Sequence, residues 1–120
     1  MTYDDHNIFA RILRGEIPCA KVFENEYALA FNDIHPQAPV HILVIPKGPF
    51  ISLSDFAQKA SAAEQSGFFA AISQIIADKN LDDTGYRTIT NTGAHGGQEV
   101  PHFHMHILAG KKLGAMLAGE

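Results

Sequence analysis

His102-Phe103-His104-Met105-His106-Ile107-Leu108 sets histidines in strict alternation with apolar residues, and it holds three of the chain's seven histidines. An extended strand has a side-chain period of two. On a strand over 102–108, His102, His104 and His106 share one face, while Phe103, Met105 and Ile107 share the other. The apolar half anchors in a core and the imidazole half faces a polar space. Such a strand needs neighbours, and the rest of the chain supplies them.

Tyr86 to Asn91 alternates well enough for a strand beside it. The loop Asn91-Thr92-Gly93-Ala94-His95-Gly96-Gly97-Gln98 then leads into the histidines. Its backbone N–H groups are of the kind that cradle an anion, although glycine loops taken alone are usually turns. Further back, Asp82-Asp83-Thr84-Gly85 reads as a turn. Ser61-Ala62-Ala63-Glu64 reads as a capping box, opening a helix to about Lys79. Phe68, Ala71, Ile72, Ile75 and Ile76 form its core stripe. Residues 52–56 make a helical turn. Val40 to Ile45 is nearly all apolar, as a strand covered on both faces would be. His41 is its exception, and a buried histidine needs partners for its ring nitrogens.

Lys21 to Glu24 and Tyr27 to Asn32 read as two strands joined at Asn25-Glu26. Ile8, Phe9, Ile12 and Leu13 mark a short helix over 7–14, ended by Gly15. The loop 33–39 carries Asp33, either a turn residue bonding its own backbone or a carboxylate for a ribose hydroxyl pair. The order of elements predicts an α+β fold, with a mainly antiparallel five-stranded sheet and one short and one long helix.

A chain of 120 residues fits one domain, here 1–120. Charged residues are 18%, against roughly 25% in soluble proteins, so some surface is expected to be buried between subunits. A net charge of −4 disfavours non-specific nucleic-acid binding. A small nucleotide remains compatible, because backbone amides bind phosphate without lysine. The lone Cys19 forms neither an intrachain disulfide nor a Cys-x-x-Cys site. Asp4 and Asp5 stand where a signal peptide would be apolar, and no run approaches the ~18 apolar residues of a membrane span. The expected setting is cytoplasmic.

Three chemistries suit alternating imidazoles. Two of them could share a zinc with a distant ligand. All three span roughly 13 Å by strand rise, too far for one ion. They could instead simply line a polar sheet face. Or one could attack phosphorus, since neutral imidazole is a good nucleophile near pH 7, with flanking histidines and amides stabilising charge.

The pattern from His102 to Leu108 resembles the signature of the histidine triad (HIT) superfamily of nucleotide hydrolases and transferases. Ile8-Phe9, Glu16-Ile17-Pro18, the run from Phe31 to Pro39, His41, Val44-Ile45-Pro46 and Gly96 to Val100 are similar to its Hint branch. Leu113-Gly114-x-Met116-Leu117 resembles the tail of bacterial members. The resemblance implies a homodimer whose sheets join into ten strands. It also implies hydrolysis of purine nucleoside 5′-phosphoramidates, and of aminoacyl adenylates, with no cofactor or metal required. His104 is then the nucleophile, forming a nucleotidyl-histidine. His102 and His41 orient, and His106 serves phosphate and leaving group. By the same resemblance Asp33 binds ribose, and Ile8, Phe9, Ile12, Phe31 and Ile34 line the base pocket. Asn91, Gly97, Gln98, Glu99 and Val100 surround ribose, phosphate and leaving group. Glu99 stands where animal members have serine, and Pro101 replaces an aromatic residue. Residues 1–6 are expected to be flexible and 110–120 to form a tail near the site. A dinucleoside polyphosphate hydrolase of the Fhit type, a nucleotide-binding regulator with little turnover, and a zinc protein are the competing readings.

Overall fold

The structure, a computed structural model, describes residues 2–117. Met1 and residues 118–120, on which part of the expectations for the two terminal segments falls, lie outside the described residues. The elements run in the order α1 (Ile8–Leu13), β1 (Lys21–Glu24), β2 (Ala28–Asn32), β3 (Val40–Pro46), α2 (Leu53–Lys59), α3 (Ala62–Asp78), α4 (Leu81–Thr84), β4 (Tyr86–Ile89), α5 (Gly93–Gly96) and β5 (Met105–Ala109). The strands form one sheet in the order β1-β2-β3-β5-β4, with every neighbouring pair antiparallel. This is the α+β, five-stranded arrangement the sequence predicts. Among the described residues no helix is long and apolar enough to cross a membrane.

Local chemistry sets the element ends. Asn7 caps α1 by accepting from the N–H of Ala10. Ser61 and Glu64 close a reciprocal capping box at the start of α3, worth about 1 kcal/mol for the Ser61 contact alone. Asn25 makes the β1–β2 turn, its side-chain oxygen accepting from the N–H groups of Tyr27 and Ala28.

The sheet is covered on both faces, which explains why β3 carries almost no polar residue. Ile42 and Val44 face α3 and pack with Phe56, Phe68, Phe103 and Ile107. Leu43 and Ile45 face α1 and pack with Phe9, Leu29 and Phe31. Phe103 stacks on Phe56 at a 5.1 Å centroid distance and is 1% exposed, a burial worth about 2–3 kcal/mol.

Three features depart from the sequence reading. The histidine strand begins at Met105, not at 102. Pro101 has no N–H to give to a ladder. The N–H of His102 turns back to Val100, and that of Phe103 goes to Phe50 on the neighbouring loop. The glycine loop and the expected turn at 82–85 each close a single helical turn, α5 and α4. Gly97 ends α5 at φ 73, a left-handed conformation that favours glycine. The helical turn at 52–56 extends to the two full turns of α2.

Candidate active site

His41 on β3 and His106 on β5 share the α1 face of the sheet. Register pairs Leu43 with His106 and His41 with Leu108, so the two imidazoles are diagonal neighbours, within side-chain reach. His102 and His104 arrive on the irregular segment just before β5.

The protonation pattern of all four rings follows from their fixed partners. The backbone N–H of Gln37 donates to Nδ1 of His41 (3.1 Å). In neutral His41 the proton is therefore on Nε2, which donates to Nδ1 of His106 (2.9 Å). Neutral His106 in turn carries its proton on Nε2. The Pro46 carbonyl only accepts, so Nε2–H of His102 donates to it (2.8 Å), and Nδ1 of His102 accepts from the Tyr3 hydroxyl (2.7 Å). Nδ1–H of His104 donates to the His102 carbonyl (2.7 Å). Nε2 of His104 is left as an unprotonated lone pair, the state a nucleophile requires.

Burial, which disfavours the charged form, lowers three of these rings, those of His102, His104 and His106. It pushes His102 down to about 4, partly opposed by the Pro46 hydrogen bond. It pushes His106 down to about 4, with His104 and His41 adding to the effect. It also lowers His104, against the pull of the His102 carbonyl, Asp33 and Glu99.

His104 and His106 open into a cavity of about 580 Å³. Ile8, Phe9, Ile12, Phe31 and Ile34 contribute apolar wall, and Asp33, Asn91, Gly97, Glu99 and Val100 also line it. Phe9 stands edge-on to Phe31 (5.6 Å between centroids) and to His104 (4.9 Å). Ile34 is 82% exposed and Ile8 44%, leaving apolar surface at the mouth for a flat ring to cover. Asp33 is held by the N–H of His35 on one oxygen and lies 3.5 Å from His41 on the other. Among the described residues, none that lines the cavity is Lys or Arg.

Three expected site residues are not on the cavity wall. Buried His41 reaches it only through His106. His102 is fully buried behind His104, where it offers its backbone carbonyl. Gln98 turns its amide into its own loop, donating to the carbonyls of Ile51 and Val100 and accepting from Gly93. Its work there is to shape the loop that carries Gly97, Glu99 and Val100. Sequence reasoning missed Tyr3, Gln37 and Thr90, whose hydroxyl donates to the His104 carbonyl (2.8 Å). Each acts on a residue distant in sequence or through a backbone group, so no local pattern marks it.

Asp33, His41 and His106 bring one ligand atom each within 4.8 Å of one another. The donor set fits a metal poorly. His41 Nε2 carries the proton as long as Gln37 holds Nδ1, and coordination there requires giving up one of the two.

The HIT-domain family model matches residues 14–113. The chain is 53% identical over 116 residues to an uncharacterised 13.2 kDa HIT-like protein of Azospirillum brasilense, covering 97% of this chain and 95% of that protein. It is 41% identical over 114 residues to the purine nucleoside phosphoramidase of Escherichia coli K12, covering 95% of each. A solved histidine triad protein from Clostridium difficile superposes with a TM-score of 0.82 at 45% identity, covering 97% of this chain and all of that one. A HIT family hydrolase from Legionella pneumophila superposes at 0.81 with 36% identity, over 89% and 95%. The chain belongs to the HIT-domain family.

Proposed function

We propose that the chain is a nucleotide hydrolase that cleaves the P–N bond of purine nucleoside 5′-phosphoramidates, and the corresponding P–O bond of aminoacyl adenylates, releasing the nucleoside monophosphate. The observation that carries the reading is the locked tautomer of His104, whose Nε2 lone pair is free beside a nucleoside-sized cavity. The base lies between Ile8, Phe9, Phe31 and Ile34, and Asp33 takes the ribose hydroxyls. His104 Nε2 attacks the α-phosphorus, and the departing group leaves with the bonding pair. The positive charge that develops on the His104 ring is shared with the His102 carbonyl through Nδ1–H. His106, whose Nδ1 accepts from His41, presents its Nε2–H to the phosphate and the departing group, and the departing nitrogen takes up its proton from water. Water then attacks the nucleotidyl-histidine and restores His104. No step calls for a metal or cofactor.

The charge of the cavity favours this reading over a dinucleoside polyphosphate hydrolase. A polyphosphate brings several negative charges into a space lined by Asp33 and Glu99 with no Lys or Arg among the described residues. A phosphoramidate group brings one, and its leaving group departs as a neutral amine. The E. coli relative named for phosphoramidase activity supports the same choice. We further propose a homodimer through the open edge of β4, joining two sheets into ten strands. Tyr86 on that strand and Phe69 on α3 are 40% and 50% exposed, apolar surface that an interface would cover.

Single-turnover hydrolysis of an adenosine 5′-phosphoramidate by the wild-type chain and by His104→Ala tests the reading. Loss of a covalent nucleophile lowers the rate by roughly 10³-fold or more. Equal rates, or faster turnover of a dinucleoside polyphosphate than of the phosphoramidate, overturn it.

A further inference from the structure

The segment before α1 reaches the back of the catalytic strand. Asn7 fixes it, donating to the Asp4 carbonyl while capping α1, and Arg14 donates to the Asp5 carbonyl. This brings Tyr3, half-buried, against the ring of His102 (5.7 Å between centroids), with its hydroxyl 2.7 Å from Nδ1. His102 does not line the cavity. It matters through its carbonyl, the fixed partner of Nδ1–H on His104.

We propose that Tyr3 is a positioning residue for the nucleophile: its hydroxyl, donated to Nδ1 of His102, holds that ring, and so the His102 carbonyl, in line with Nδ1–H of His104. The inference rests on the phosphoramidase reading above, because it assigns Tyr3 to the step His104 performs. The His102 ring is held at two points 99 and 56 residues away in sequence, by Tyr3 and by the Pro46 carbonyl. With both in place the ring has one permitted tautomer and one orientation. Without the hydroxyl, Nδ1 becomes a buried acceptor with no partner, a costly state. The ring relieves it by rotating or by moving its proton to Nδ1, and the latter breaks the bond to Pro46. Either change shifts the carbonyl on which the His104 tautomer depends. Burial that holds His102 neutral at pH 7 is consistent with Tyr3 being the donor.

The test uses Tyr3→Phe in the full chain, which removes one oxygen and keeps the ring. Three quantities are measured: AMP affinity, the single-turnover rate of nucleotidyl-His104 formation from an adenosine 5′-phosphoramidate, and long-range ¹⁵N–¹H spectra of the histidine rings. AMP affinity stays within about twofold, since the cavity wall is untouched. Adduct formation slows on the order of fivefold to tenfold, the worth of one neutral hydrogen bond. The Nδ1 resonance of His102 moves toward that of a ring nitrogen without a hydrogen-bond partner, which general loosening of the fold does not produce selectively. An unchanged adduct rate, or an unchanged His102 resonance, overturns the role of Tyr3. Failure of the wild-type chain to form any adduct overturns the phosphoramidase reading, and the assignment of Tyr3 falls with it. Tyr3→Ala gives a second variant, expected to match Tyr3→Phe in the His102 spectrum and to be at least as slow. An Ala variant with the wild-type rate also overturns the proposal.

Discussion

Lowering the pH from 7.5 to 5 should destabilise the fold through His102, and replacing that residue with glutamine should remove much of the effect. The ring is ordinarily half-protonated near 6.5 but only near about 4 when buried against the Pro46 carbonyl. As pH falls, the unfolded chain therefore takes up the proton first. Between 6.5 and about 4 the unfolded state binds more protons, so stability rises with pH across that window. The contribution is fully present above pH 6.5 and lost as pH falls through about 4. A gap of about 2.5 pH corresponds to roughly 3 kcal/mol, of which about 2 kcal/mol is gone by pH 5. That is a large share of the ~5–15 kcal/mol of a typical domain. Glutamine keeps an N–H for the Pro46 carbonyl and an oxygen for Tyr3, and it does not titrate. His104 and His106 are also lowered by burial, and they add the same slope to both proteins. Urea unfolding of wild type and His102→Gln at pH 7.5 and 5 isolates His102 as the difference. Wild type should lose about 2 kcal/mol more than the variant over that range. Parallel losses in the two proteins would refute the account of His102 as a ring kept neutral by burial.

Glu99→Gln removes a carboxylate from the cavity, so the ratio of kcat/KM for a dinucleoside polyphosphate to that for a phosphoramidate should rise several-fold. A constant ratio would show that Glu99 does not sense substrate charge. Asp33→Asn retains an acceptor for the His35 N–H but weakens the proposed charge-assisted bond to ribose, raising KM about 10-fold or more. The loss should vanish with a 2′,3′-dideoxy substrate, and persistence there would place Asp33 elsewhere in the mechanism. Phe68→Ala empties a fully buried site between α3 and the sheet and should cost about 3–5 kcal/mol by urea unfolding. AMP affinity of the folded fraction should be unchanged, because the cavity lies on the opposite face.

The parts of the fold that were legible are those with a local cause. The Ser61–Glu64 box and the stripe from Phe68 to Ile76 announce α3, and the unbroken apolar run of β3 announces a strand with cover on both sides. The alternation of the three histidines misled about where β5 begins. Period two persists in any extended chain, whether or not its amides join a ladder, and Pro101 and the loop at Phe50 decide that question. The site was legible where side chains face the cavity, as with His104, His106, Asp33 and Phe9. It was obscure where backbone groups act. Gln98 is expected at the ligand, whereas its amide bonds Ile51, Val100 and Gly93. Gln37 looked like ordinary loop, yet its N–H sets the tautomers of two histidines.

On the proposed phosphoramidase reading, the cavity, lined by no Lys or Arg among the described residues, also bears on product release. A pocket that grips its ligand by ring contacts, a ribose carboxylate and amide or imidazole donors releases no counterions on binding. Its affinity should therefore not fall as salt rises, and screening of Asp33 and Glu99 should raise it modestly once the Debye length drops below about 8 Å. On that reading the product, a monophosphate with two negative charges, meets Glu99 and no Lys or Arg among the described residues once its bond to His104 is gone. On the same reading, the arrangement that neglects to hold the phosphate is expected to be the one that clears it.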